Sequence, residues 1–209
     1  MAFPTITAPY GLKPVNLIGG RGYAGSTRNI PIASNYATAI FNGDVVQYTT
    51  DGTIIITTQT AATIVPGIVG VFVGCSYTDP VLGYKIFSQY YPGSIVASDI
   101  EAIVVDDPNC LFKVVNVTNT TADGATTGLA PLAKTRATTI STNAVLVLNT
   151  GVAATGNSRM GVFINNVTST LPFIVVDVVE NTKNSDGNFT EFLVKFTPTY
   201  HRYTHTVGV

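Results

Sequence analysis

The clearest repeat of apolar and polar positions in this chain has period 2. In Phe189–Thr197, Phe192, Val194 and Phe196 alternate with Leu193, Lys195 and Thr197, as in a strand with one buried face. Phe173–Glu180 is its natural partner, and the connection Asn181–Asn188 carries the turn pair Asp186-Gly187. Together they predict a C-terminal hairpin over 173–197. Val45–Thr50 and Thr53–Thr58 flank Asp51-Gly52, which predicts a second hairpin with a two-residue type I′ turn. Pro66-Gly67 marks a turn before a strand at Ile68–Cys75. Leu111–Val117, Val145–Leu148 and Met160–Asn165 read as further strands. Ala97–Asp106 reads as a strand or as one helical turn capped by Ser98 or Asp99. Thr118–Ala137 is a polar loop with room for a short helix at 128–135. No window shows a sustained helical period. The prediction is an all-β fold: a compact β-barrel or sandwich built of hairpins, with an extended N-terminal arm and little helix.

The arm is residues 1–36. Pro4, Pro9, Pro14 and Pro31 remove backbone donors, and five glycines fall between Gly11 and Gly25. Phe3, Ile6, Tyr10, Leu12, Val15, Leu17 and Ile18 are interleaved among them. This density of apolar anchors is unlike a disordered tail and predicts side chains that plug into a neighbouring subunit. The β domain then spans 37–200, and 201–209 is a C-terminal tail. Within the domain, 76–95 reads as a loop rich in tyrosine. Tyr77, Tyr84, Tyr90 and Tyr91 are either a binding surface for protein or sugar, or a flap over one end of the sheet.

Composition sharpens this picture. Only 11% of residues are charged, against about 25% in an average globular domain. The 31 threonines and 26 valines that take their place suit pleated sheets. A formal net charge of −1 with scattered Lys and Arg argues against nucleic acid. A chain that gives up charge loses the repulsion that keeps monomers apart, which points to a subunit of a larger assembly. The longest apolar runs, such as Val69–Val73, fall far short of the roughly 20 residues that cross a bilayer, so no membrane role is expected. The N-terminal residues lack the charged and apolar regions of a signal peptide. Accordingly, Asn116, Asn119, Asn166 and Asn188 in Asn-X-Thr are read as chance matches rather than glycosylation sites.

Candidate chemistry is thin. Gly20–Gly25 fits the pattern GxGxxG, but Pro31 and β-branched residues replace the helix a dinucleotide needs. His201 and His205, if extended, point to one face about 13 Å apart, too far to share a metal. Asp106-Asp107 precedes Pro108-Asn109 as a turn rather than an acid–base pair, and Asp99/Glu101 is no stronger. Cys75 and Cys110 read as buried hydrophobes, not as a disulfide. No catalytic residue, metal site or cofactor is predicted, and the chain is not expected to be an enzyme.

The strings APYGLKPVNLIGG, ATAIFNGDVVQ, GCSYTD and FSQYYPGS resemble those of structural proteins of tailed marine bacteriophages, over about residues 1–115. Asn42-Gly43-Asp44-Val45-Val46, then Asp51-Gly52 and Gly67–Val71, resemble the small β-barrel of phage head decoration proteins. The resemblance implies a cement protein, made in the bacterial host cytoplasm and located on the outer surface of the virion capsid. It implies the major capsid protein as partner and a homo-oligomer, as a trimer. The residues expected to make these contacts are Phe3, Ile6, Tyr10, Leu12 and Leu17 of the arm and Tyr77, Tyr84, Tyr90 and Tyr91. The alternatives are a connector, tail or head-fibre component, and a β protein that binds or cleaves carbohydrate.

Overall fold

The C-terminal hairpin shows how the chain buries its apolar side. In the computed structural model, which describes residues 6–58, 67–118, 130, 136–164, 171–182 and 189–205, Phe192, Val194 and Phe196 are buried while Leu193 and Lys195 are half-buried. Their strand, β12 (Glu191–Phe196), pairs antiparallel with β11 (Phe173–Val178). An irregularity between Val175 and Asp177 leaves both Val175 and Val178 facing the core. This hairpin is the centre of a six-stranded sheet. Its order is β1 (Lys13–Leu17), β8 (Cys110–Val115), β12, β11, β9 (Asn143–Val147), β10 (Gly161–Ile164).

The second sheet also has six strands. Its path is β2 (Arg28–Pro31), β7 (Glu101–Val105), β5 (Ile68–Thr78), β3 (Val45–Tyr48), β4 (Ile54–Ile56), and β6 (Lys85–Ser88) hangs from the far end of β5. All strand pairs are antiparallel. Neither sheet closes on itself, so the all-β fold is a sandwich rather than a barrel. Among the described residues the only helical segments are Arg136–Thr139 and the 3₁₀ turn Glu180–Thr182. The helix expected at 128–135 lies outside the described residues apart from Ala130, and so does the Asp186-Gly187 turn.

Phe112, Phe173, Phe192 and Phe196 fill the space between the sheets, against Val45, Val71 and Val105 of the second. Phe196 meets Phe173 at 4.9 Å and Phe112 edge-on at 5.4 Å between ring centroids. A second core lies on the other face of the second sheet: Ile30, Val46, Phe72, Cys75, Ala102 and Val104. It is roofed by the segments that carry Ile40 and Tyr91, whose backbones exchange hydrogen bonds at 2.9 and 2.8 Å. The second sheet is therefore buried on both faces. That is why Ile68–Cys75 reads as one continuous apolar run instead of alternating.

Several local expectations change. The described part of the 1–36 segment is built into the sheets: β1 is an edge strand of the first, β2 of the second, and Leu12 is buried between them. Pro14 and Pro31 each fall in an edge strand, where a missing N–H disrupts nothing. Gly11 seats this segment. Its N–H bonds Met160 O at 3.1 Å, and an added Cβ would lie 2.7 Å from Gly43 O. The Asp51-Gly52 hairpin is present, but its turn is not type I′. Only Gly52 has positive φ, at 76°, and its N–H bonds Thr49 O at 3.2 Å, the geometry of a three-residue loop. The 76–95 segment is not a plain loop: β5 continues to Thr78, and β6 returns along it. The described tail residues 201–205 pack on β5, with Arg202 N–H on Ile68 O at 2.8 Å.

Candidate docking surface

The β5–β6 hairpin is where the sandwich leaves apolar side chains in water. Asp79 shapes its tip. One carboxylate oxygen accepts the N–H groups of Val81 (2.7 Å) and Leu82 (2.8 Å). Asp79 N–H bonds Tyr84 O, and Gly83, at φ 72°, bonds Asp79 O, both at 2.9 Å. With its backbone so fixed, the tip holds Val81 (88% exposed), Leu82 (62%) and Tyr84 (55%) outward. Phe87 on β6 is 77% exposed and Val96 63%. Of the eight large hydrophobics exposed among the described residues, five fall within residues 81–96. Single exposed apolar residues are ordinary; a concentration in one short stretch makes this the candidate contact surface.

Next to the tip the hairpin is tied to Asp99 and its charge is matched. Lys85 Nζ lies 2.8 Å from Asp99, which also accepts from Thr78 N (3.0 Å) and Thr78 Oγ1 (2.8 Å). Lys85 first, and then Thr78, hold the Asp99 carboxyl well below the usual carboxylate range.

The tyrosines expected to form a surface have separate fates. Tyr77 and Tyr91 belong to the second core. Tyr91 donates its hydroxyl to Tyr36 O at 2.9 Å and accepts from Ile95 N at 3.3 Å. Tyr90 is half-buried and stacks on Phe41 at 5.5 Å. Tyr84 is the exposed one of the four. Sequence reasoning named the tyrosines and missed Val81, Leu82, Phe87 and Val96. The signal for the first two was an apolar pair inside the turn Asp79-Pro80…Gly83, where polar residues are usual.

The N-terminal candidates contact their own chain. Phe3 lies outside the described residues. Ile6 and Tyr10 pack over Val115, Val117, Val147 and Phe189. Tyr10 donates its hydroxyl to Glu191, which is nearly fully buried and paired with Lys113 Nζ at 3.0 Å. Burial first, and then this bond to a carboxylate, push the Tyr10 hydroxyl far above its usual range. Lys13 Nζ sits 4.6 Å from the Tyr10 ring centroid. Leu12 is buried in the inter-sheet core, and Leu17 is half-buried against it.

Other titratable groups serve the fold. Asp44 is buried beside a cleft of about 260 Å³ lined by Phe41, Ile56, Leu148 and Met160. It accepts Phe41 N–H at 2.8 Å, and burial pushes its carboxyl up to about 6. His201 is buried, accepts Tyr203 N–H on Nδ1 at 3.3 Å, and is pushed down to about 4 by burial. Residues 202–204 form a turn rather than an extended segment, so the two histidines do not line one strand face. Cys75 and Cys110 are free and buried, their thiols pushed up to about 12 by burial. Among the described residues no three His, Cys, Asp or Glu side chains cluster to hold a metal. Among the described residues no helix is long and apolar enough to cross a membrane. No family model matches the chain, and no curated protein or solved structure is similar enough to it to match.

Proposed function

We propose that this chain is a non-catalytic structural protein of a phage virion, a decoration protein that cements the capsid by bridging neighbouring subunits. The observation that carries the reading is the apolar hairpin, with Val81, Leu82 and Phe87 in water on a chain that is only 11% charged. A freely diffusing monomer gains nothing from such a surface, whereas a subunit buries it on assembly. The rigid two-sheet body and the backbone-fixed tip hold the surface in shape before contact, which lowers the ordering entropy lost on docking. The resemblance of residues 1–115 to phage structural proteins supports the same reading. A sugar-binding role has less support, because Tyr77 and Tyr91 are buried and leave no stacked tyrosine platform.

The test is the amount of this chain in purified particles, measured against the major capsid protein. Cement predicts a copy number that follows the shell subunits, and particles lacking the chain should lose tolerance to heat. A copy number of one ring per particle makes it a connector or tail component instead. Absence from particles removes the virion reading.

A further inference from the structure

Edge strands invite pairing with other chains, and natural sheets blunt them. Most edges of this sandwich are blunted. β1 carries Pro14, and the chain returns along it, with Leu17 N–H on Arg21 O at 2.8 Å and a bridge from Asn16 to Gly22. β10 is met by residues 116–117: Val117 N–H bonds Val162 O at 2.9 Å, and Ile164 N–H bonds Asn116 Oδ1 at 3.2 Å. β2 carries Pro31 and the Arg28–Asp106 ion pair at 2.8 Å. β4 is bridged by Ile32 and donates Ile56 N–H to the Tyr36 hydroxyl at 3.3 Å.

β6 differs. It has no proline and pairs only with β5, and among the described residues no strand or bridge covers its other side. The bond from Asp79 N–H to Tyr84 O, with the register Thr78↔Lys85 and Tyr77↔Ile86, fixes which groups are free. Residues 84, 86 and 88 turn their backbone polar groups to β5. Lys85 and Phe87 turn theirs away from it.

We infer that β6 is a self-pairing edge, joining a second copy of this chain antiparallel about a twofold axis centred on Phe87. In that register Phe87 exchanges both backbone hydrogen bonds with the partner's Phe87, and the two exposed rings form a cross-strand aromatic pair. Lys85 then lies opposite the partner's Gln89, so no like charges meet. Its ammonium is already matched by Asp99. An edge that is neutral, free of proline and centred on an exposed aromatic complements itself. The inference shares its surface with the functional reading but needs no virion. A particle count that removes the virion leaves the pairing intact, and a failed pairing leaves the particle count intact.

The paired strand is short, and the contact is smaller than the roughly 1,000 Å² of a stable interface, so trapping is the direct readout. The test uses the full chain with Phe87→Cys and a short bismaleimide cross-linker. Val15→Cys, exposed on β1, is the control, and the native cysteines are buried. The expected result is a cross-linked dimer at least about tenfold more abundant for Phe87→Cys than for the control. In sedimentation at high concentration, Phe87→Lys should lower the wild-type dimer fraction without moving the unfolding midpoint. Cross-linking no greater than the control, or wild type and Phe87→Lys sedimenting as identical monomers, overturns the inference.

Discussion

The N-terminal segment and the β5–β6 hairpin look alike in sequence. Both mix aromatic and aliphatic residues with glycine and proline, and both read as contact elements. In the structure they part. Leu12 is 1% exposed, whereas Val81 and Phe87 are among the most exposed large side chains of the molecule. The difference lies in backbone partners. Residues 13–17 hydrogen-bond along β8, and Tyr10 reaches Glu191, so Leu12 between them is drawn into the chain's own core, while Val15 and Ile18 stay exposed. The hairpin tip satisfies its backbone within itself, through Asp79 and Gly83, and its side chains are left facing out. An apolar residue becomes a contact residue only where its own backbone has not already delivered it to the core.

The comparison breaks most visibly at Leu12. Leu12→Ala is expected to lower the unfolding free energy by about 2–5 kcal/mol in urea titration, since it hollows the inter-sheet core. Phe87→Ser should stay within about 0.5 kcal/mol of wild type. Equal and small effects would mean that the N-terminal segment is the free arm its sequence suggests. Deletion of residues 2–18 should destabilise the body for the same reason, by removing β1 as well.

Acid sets two buried groups against each other. The folded-state value of Asp44 is raised to about 6, so its contribution is full below its unfolded value near 3.8 and is lost as pH rises through 6. The folded-state value of His201 is lowered to about 4, so stability is lost as pH falls from its unfolded value near 6.5 toward 4. Each is worth at most about 3 kcal/mol. Asp44→Asn should therefore steepen the loss of stability between pH 6.5 and 4, and His201→Gln should flatten it. Unfolding midpoints measured across that range check both signs. An unchanged profile in both variants contradicts the assignment.

Glycines sharpen the contrast between seated and open backbone. Gly52→Val should cost about 1–3 kcal/mol through positive φ alone, because nothing lies within 4 Å of the added Cβ. Gly43→Ala should exceed Gly83→Ala. Both have positive φ, but a Cβ at Gly43 meets Gly11 Cα and Leu12 N at 3.1 Å, while Gly83 is open. A comparable effect is expected of Tyr10→Phe. Losing the hydroxyl at Glu191 is expected to cost about 1–3 kcal/mol, less where Lys113 compensates. Thermal denaturation reads each of these variants.

Long strands with a clean period were legible from the sequence. β12 shows its alternation, β5 its apolar run, and the 51–52 turn its Asp-Gly pair. β1 and β2 were not, because Pro14 and Pro31 argue against strands unless an edge position is already known, and β6 was not, because Pro80, Gly83, Pro92 and Gly93 mark its surroundings as loop. The second core was hidden for a different reason. Ile40 and Tyr91 come from irregular segments that meet only in three dimensions. The exposed apolar patch was half legible: most of it falls within 76–95, but large tyrosines drew attention from Val81, Leu82 and Phe87. Burial of an aromatic depends on what roofs it, which no local pattern encodes.

The account rests on the claim that the hairpin, and not the N-terminal segment, carries the assembly contact. The direct measurement is occupancy of purified particles by wild type and by Leu82→Asp, a substitution at a side chain 62% exposed. The account predicts wild-type copies in proportion to capsid subunits, and a large loss of occupancy for Leu82→Asp with its unfolding midpoint unchanged. Equal occupancy by the two proteins would contradict it.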